Sequence, residues 1–240
     1  MSEKPHKGQS GSIGNVSTVR SDLTMNKIEL LYRALFAAFG PQHWWPAETP
    51  FEVAAGAILT QNTNWANVKK ALNNLKAARA LNAARLHEMP AAEIAALIRP
   101  SGYFTVKAKR LKAFVSFLIE KYRGSLKRMK SEDMQKLRKE LLSVHGIGPE
   151  TADSILLYAL EKPVFVIDAY TKRVLSRHAI LNHDESYEVF QGLFHSSLKK
   201  DVRLYNEYHA LLVAVGKAFC KPRPLCEQCP LSKYLPEARR

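Results

Sequence analysis

Residues 141–173 read LLSVHGIGPETADSILLYALEKPVFVIDAYTKR, and this stretch decides how the rest of the chain is organised. Leu141, Leu142 and Val144 end one helix, and Gly146-Ile147-Gly148-Pro149 makes a tight turn. A second helix follows, with Pro149 at its start, where a missing N–H costs nothing. Ala152, Ile155, Leu156 and Ala159 fall at spacings of three, one and three, which predicts one apolar face. The two glycines let the turn approach another surface closely. Free N–H groups at a helix start, with the positive end of the helix dipole behind them, suit a phosphate. An ordinary helical hairpin with a glycine turn would read the same up to this point. The difference is Asp168, eighteen residues past Glu150 and directly after the apolar run Val164-Phe165-Val166-Ile167. A carboxylate emerging there, beside a phosphate-binding hairpin, is placed to act on nucleic acid.

Hairpin, spacing and aspartate together resemble the helix-hairpin-helix, Gly/Pro-rich loop and aspartate signature of the endonuclease III superfamily of DNA glycosylases. The resemblance extends over nearly all of residues 27–234. It implies an all-α fold of two helical lobes with a DNA-binding groove between them. One lobe is a helical barrel over residues 43–162, with the hairpin at about 136–160; the other joins residues 25–42 to 163–240. It also implies that Gly146, Ile147, Gly148, Glu150 and Thr151 meet DNA, and that Asp168 is catalytic. On position alone, Asp168 reads equally well as the cap of a helix beginning at Ala169, and it can do both.

Composition agrees with a polyanionic partner. The 240 residues carry 36 Lys+Arg against 22 Asp+Glu, a formal charge of +14 and a pI near 9.7. That length suffices for one large or two modest domains with a buried core. The chain has no apolar run long enough to span a membrane, and residues 1–15 lack the apolar centre of a secretory signal. Residues 1–24, rich in Ser, Gly, Lys and Asn, read as a disordered leader. The expectation is a cytoplasmic monomer, nucleoid-associated in a prokaryote, whose partner is double-stranded DNA bearing a damaged base.

Outside the hairpin, helices are expected from Met25 to Phe39, across Pro50–Leu75 with a Thr60–Trp65 break, over 77–98 in two pieces split by Pro90, and over 107–122. The hairpin's first helix reads as 131–143 with Ser131 as its cap. Helices at 186–198 and 204–219 follow the one after Asp168. Val164–Ile167 is the one short strand candidate, and a buried link explains it equally well.

Within this frame LTQNTNW (59–65), Trp44-Trp45-Pro46, and Arg99–Tyr103 leading into Lys107–Leu111 are similar to the branch of the superfamily that excises 3-methyladenine. Carried over, Trp44, Trp45 and Trp65 become base-pocket candidates, although the segment Trp44-Trp45 by itself reads first as core anchors. Gln61 becomes the residue that fills the gap left by an everted nucleotide. Separately, Lys217 is a candidate for contact with base or phosphate, and an ordinary surface lysine reads the same. Asn62 suits a loop that meets base edges, although Asn62 or Thr63 would also serve as a helix cap. Lys107, Lys109 and Arg110 are candidate phosphate contacts; a solvated helix face explains such a trio equally.

An enzyme acting on a base in a duplex must evert it, at a cost of a few kcal/mol. Stacking on aromatic side chains returns roughly 1–3 kcal/mol per base, and an indole face further favours a cationic methylated purine. Breaking the N-glycosidic bond makes the sugar cationic, which a carboxylate stabilises. Glu150 stands where lyase-competent relatives carry the lysine that forms a Schiff base, and a carboxylate cannot form that imine. The reading is therefore a base excision repair N-glycosylase without strong abasic-site lyase activity. Its alternatives are a bifunctional glycosylase/lyase, a U/T·G mismatch glycosylase and a non-catalytic hairpin protein that binds DNA. Cys220-x5-Cys226-x2-Cys229 resembles the iron–sulfur loop of relatives, making a [4Fe-4S] cluster a candidate cofactor. Leu235 stands near where the fourth cysteine is expected.

Overall fold

The computed structural model describes residues 16–237, with side chains from residue 27 onward. The described residues form helices and connecting loops with no strand among them, so the chain is all-α. The helices are α1 (Val16–Phe39), α2 (Pro50–Leu59), α3 (Trp65–Ala77), α4 (Ala83–Glu88), α5 (Ala91–Leu97) and α6 (Phe104–Tyr122). They continue with α7 (Leu126–Lys130), α8 (Met134–Ser143), α9 (Pro149–Ser154), α10 (Ala169–Arg177), α11 (Tyr187–Ser197) and α12 (Val202–Ala218). Of the expected leader, residues 1–15 lie outside the described residues, while 16–24 belong to α1.

Short polar side chains start most of these helices by accepting from an exposed first-turn amide. Thr49 accepts from Glu52 N at 3.1 Å, with Pro50 in the first position of α2. Two caps differ from the sequence reading. Asn64, not Asn62 or Thr63, caps α3 by accepting from Asn67 N at 3.0 Å. Asp133, not Ser131, caps α8 by accepting from Gln135 N and Lys136 N at 2.9 and 3.0 Å. Ser131 instead closes α7, its hydroxyl donating to Arg128 O at 2.7 Å. Pattern reading finds that a cap is present; which of the neighbouring acceptor side chains takes it is set by the chain path.

The second helix of the hairpin also departs from expectation. Residues 151–160 are all buried, so the helix is enclosed on every side, its polar Thr151, Asp153 and Ser154 included, rather than covered on one face. After Ser154 it widens into a π-helical turn, Ile155–Ala159, which packs against α2, α8 and α12. Such widened turns re-aim side chains and recur at functional sites. Around it, α2 through α7 pack on one another and α8 packs on α9 and the π-helical turn, whereas α1, the first helix, packs on α11 and α12 and α10 packs on α12.

Val164–Ile167 is a buried link and forms no ladder. Three of its backbone polar groups are met by side chains of α11, in keeping with the need to pair buried amides and carbonyls. Phe165 N donates to His195 Nε2 at 3.0 Å, Ile167 N donates to the Tyr187 hydroxyl at 3.2 Å, and Gln191 Nε2 donates to Phe165 O at 2.7 Å. The Phe165 ring lies flat on Phe194, centroids 3.7 Å apart.

One buried carboxylate ties hairpin and link together. Asp153 on α9, with no exposed surface, accepts from Arg138 Nε at 2.8 Å and Nη2 at 3.1 Å on α8, and from Gln191 Nε2 at 2.8 Å. The forked guanidinium suits a carboxylate in two-point contact. Asp153→Ala leaves Arg138 without its partner, and a broken buried ion pair costs about 3–5 kcal/mol. Urea unfolding of the variant is expected to show a loss in that range.

Candidate active site

A cleft of about 1350 Å³ opens between the α2–α3 loop, the hairpin turn and the start of α10, with α12 behind it. Trp44, Trp45 and Trp65 form one wall, each half-buried. Their rings are packed edge to face or tilted, with centroids 5.4 Å (Trp44–Trp45), 5.9 Å (Trp44–Trp65) and 5.0 Å (Trp45–Trp65) apart. The wall depends on Gly56 of α2: a Cβ there would already touch both Trp45 and Trp65 at 3.5 Å, so larger side chains would displace the indoles. Lys217 reaches the same wall from α12, its Nζ lying 5.7 Å above the centre of the Trp44 ring.

Opposite stands the hairpin. Gly146 takes a positive φ of +81°, and a Cβ there would overlap the Arg110 side chain. Gln61 is drawn onto this turn, donating from Nε2 to Gly146 O at 3.1 Å and to Thr151 Oγ1 at 2.9 Å, while Arg110 donates to its Oε1. The α2–α3 loop and the hairpin are thus fastened by one amide side chain. Asn62, exposed and with a φ of +52°, faces the cleft beside it.

Three expected DNA contacts are turned inward instead. Lys107 is 1% exposed and donates to Leu59 O at 2.8 Å and Ser101 O at 2.7 Å, joining the ends of α2 and the 99–101 turn. Burial, aided by the charge of Arg110, pulls its ammonium down to about 8. It is a structural lysine. Ile147 is buried with its N–H already donated to Val144 O at 3.1 Å, and Thr151 is buried against Gln61. Lys109 is exposed but lies beside Phe104 and the α5 alanines, away from the cleft. Charge and periodicity cannot tell these cases apart, because a lysine stem crosses apolar ground in both.

Asp168 caps α10, its Oδ1 accepting from Thr171 N at 2.7 Å, and opens onto the cleft. Its Oδ2 lies 3.6 Å from His209 Nε2. Burial alone would push this carboxyl up, but His209 and the Thr171 amide outweigh it and hold the carboxyl below the usual range. Glu150, on the cleft rim and in contact with water, behaves oppositely. Crowding by the cleft walls and then the Asp168 charge push it up to about 7. His209 and Tyr158, both of which reach this site, carry no local sequence signal: one is a histidine in the apolar pattern of α12, the other an aromatic in an apolar helix.

Cys220, Cys226, Cys229 and Leu235 border a separate cavity of about 10 Å³, room for one water at most. Arg177 Nη1 donates to Cys220 Sγ at 3.0 Å, and burial pushes the Cys229 thiol up, toward its protonated form. Among the described residues no three His, Cys, Asp or Glu side chains converge as metal ligands. A cubane wants four thiolates, so the residues present do not fit one.

The hairpin geometry supports a paired test at the two turn glycines. Gly146→Ala is expected to lose about 1–3 kcal/mol through its left-handed backbone alone. Gly148→Ala, with nothing within 4 Å of its Cβ and a φ of −92°, is expected to change stability much less in the same denaturation assay.

Residues 55–200 match the family model described as HhH-GPD superfamily base excision DNA repair protein. A Methanocaldococcus jannaschii protein, provisionally named DNA repair glycosylase MJ1434, is 46% identical over 213 residues, covering 87% of this chain and 97% of its own. Endonuclease III of Thermotoga maritima is 29% identical over 215 residues, covering 89% and 94%. Among solved structures, the H. pylori 3-methyladenine DNA glycosylase MagIII bound to 1,N6-ethenoadenine is 29% identical, with a TM-score of 0.66 over 82% of this chain and 97% of that one. A non-covalent endonuclease III–DNA complex, 22% identical with a TM-score of 0.77 over 90% and 96%, shows the same two-lobed fold.

Proposed function

The chain belongs to the HhH-GPD superfamily of base excision DNA repair proteins, and from that premise we propose that it is a monofunctional DNA N-glycosylase releasing an alkylated base. The observation that carries the reading is the cleft in which a half-shielded carboxylate, Asp168, shares one space with three tryptophans. A nucleotide everted into that space stacks on indole faces, which repays part of its unstacking. As the glycosidic bond lengthens, the sugar becomes cationic beside an ionised Asp168, and a water molecule takes the departing base's place.

Lys217 refines the substrate. Its ammonium already engages Trp44, so a cationic purine would meet a like charge in the wall expected to attract it. A neutral alkylated adduct, such as the 1,N6-ethenoadenine bound by MagIII, would accept a hydrogen bond from the same group. A panel of duplexes therefore needs both 3-methyladenine and 1,N6-ethenoadenine, with uracil and thymine opposite guanine as the contrasting arm. Release of an alkylated base with inert mismatches is the expected result.

Asp168→Asn is expected to lower base release by at least about a hundredfold, on the scale of removing a charge-stabilising group from an active site, with duplex binding retained. No release by the wild type on any duplex would favour a non-catalytic hairpin protein. Lys217 is the one lysine bordering the cleft among the described residues, and so the one amine available to a lyase reading. Borohydride on abasic DNA is expected to trap no adduct; an adduct lost in Lys217→Ala would instead establish lyase chemistry.

Glu150 adds a pH dependence. Its raised pKa means that it gains charge as pH rises through about 7, placing a second carboxylate before the DNA phosphates. Affinity for an undamaged duplex at fixed salt is expected to fall about two- to fivefold from pH 6 to pH 8, the scale of an exposed charge contact. Fluorescence anisotropy should show a smaller fall for Glu150→Gln.

A further inference from the structure

Behind Asp168, polar groups from two other elements meet. His209 of α12 is 5% exposed and its Nδ1 lies 2.5 Å from the Tyr158 hydroxyl in the π-helical turn. The imidazole is wedged between the rings of Tyr158 (5.9 Å) and Phe165 (6.4 Å), so its plane is set by packing. Tyr158 is buried, and burial and the Asp168 charge keep its hydroxyl protonated. With the Asp168 carboxylate facing Nε2, the arrangement that suits both neighbours has the hydroxyl donating to Nδ1 and a ring proton on Nε2. That Nε2 is buried and has no hydrogen-bond partner, and 3.6 Å away stands Asp168 Oδ2.

A histidine serving only the packing of α12 would carry this unsatisfied nitrogen at a cost of about 1–3 kcal/mol. The separation is a few tenths of an ångström too long for a hydrogen bond. Contacts of catalytic groups are often long in the free enzyme and tighten once substrate is bound. The other carboxylate oxygen is already fixed by Thr171 N at 2.7 Å. Closing the His209 contact would clamp the carboxylate at both oxygens. Tyr158 also packs on Trp45, centroids 5.1 Å apart, so one side chain supports both the aromatic wall and the histidine.

We propose that His209, with its proton fixed on Nε2 by the Tyr158 hydroxyl, is a positioning residue that clamps the Asp168 carboxylate toward the sugar during base release. The proposal rests on the catalytic reading of Asp168. His209 touches no reacting atom; it acts by holding Oδ2 while Thr171 holds Oδ1, so the carboxylate neither rotates away nor takes up a proton as the cleft closes over DNA.

The test is single-turnover base release from duplexes carrying 3-methyladenine or 1,N6-ethenoadenine, beside affinity for a duplex with a tetrahydrofuran abasic analogue. His209→Ala is expected to slow release by about tenfold to a hundredfold, the range for partners that orient a charged group, with affinity changed less than about twofold. His209→Gln, whose amide can donate in place of Nε2–H, is expected to recover part of that rate. Tyr158→Phe is expected to slow release less than His209→Ala. Nitrogen-15 spectra should place the His209 proton on Nε2 in the wild type and show that preference lost in Tyr158→Phe. Thermal melts accompany each variant; an unfolded His209→Ala leaves the decision to His209→Gln and the spectra. A proton on Nδ1 in the wild type overturns the proposal, as does wild-type release by a folded His209→Ala, or equal losses of rate and affinity without recovery by Gln. Inactive Asp168→Asn beside fully active His209→Ala would sink this proposal alone. Active Asp168→Asn would sink the catalytic reading and this one with it.

Discussion

A carboxylate half shut away from water and yet held ionised is the constraint on which the site depends. Burial pushes Asp168 toward its neutral form. The counterweights are the Thr171 amide at 2.7 Å and His209 at 3.6 Å, with the positive end of α10 behind them. Each fixes a piece of chain. Helix α10 has to begin at Ala169, and α12 has to cross behind it. The link that delivers Asp168 has to run extended through the interior, where its amides are served by Tyr187 and His195 of α11 in place of a neighbouring strand. Asp153 then fastens that same helix to the hairpin through Gln191 and Arg138. The hairpin and the carboxylate keep their relative position because α11 grips both.

What could be read from the sequence follows from how local each signal is. The Gly146–Pro149 turn, the Asp168 cap and the break at Pro90 are written within a few residues, and the structure has them where the pattern puts them, although the piece before Pro90 begins at Ala83 after a turn over 78–82 instead of at 77. The tryptophans share a wall, but nothing in Trp44-Trp45-Pro46 separates a core anchor from a cleft lining. They lie half-buried, touching both, and Gly56 on another helix makes the room. Lys107 failed as a phosphate contact because its destination is set by two carbonyls, Leu59 O and Ser101 O, that come together only in the folded chain. His209 was invisible for the same reason. Its partners lie 51 and 41 residues away, at Tyr158 and Asp168, and no spacing rule spans such distances.

The two carboxylates at the cleft also explain each other. A chain of formal charge +14 attracts DNA, so acids at the rim of a cleft proposed to receive it work against that attraction. Two ionised carboxylates sharing a cleft also repel each other, and one of them then titrates higher. Here the split is decided by partners. Asp168 has an amide and an imidazole and stays charged, whereas Glu150 has the crowded rim and the Asp168 charge and rises to about 7. Environments that push paired groups apart in this way assign them different tasks. On the proposed function, the charge facing the sugar is concentrated on Asp168, and near neutrality the hairpin carries a half-protonated residue at the cleft rim. A lysine at that position would ease the approach of DNA further, but its amine could attack the sugar and open the route to strand cleavage. Glu150 closes that route at the hairpin, and its lifted pKa limits the electrostatic cost of placing an acid there.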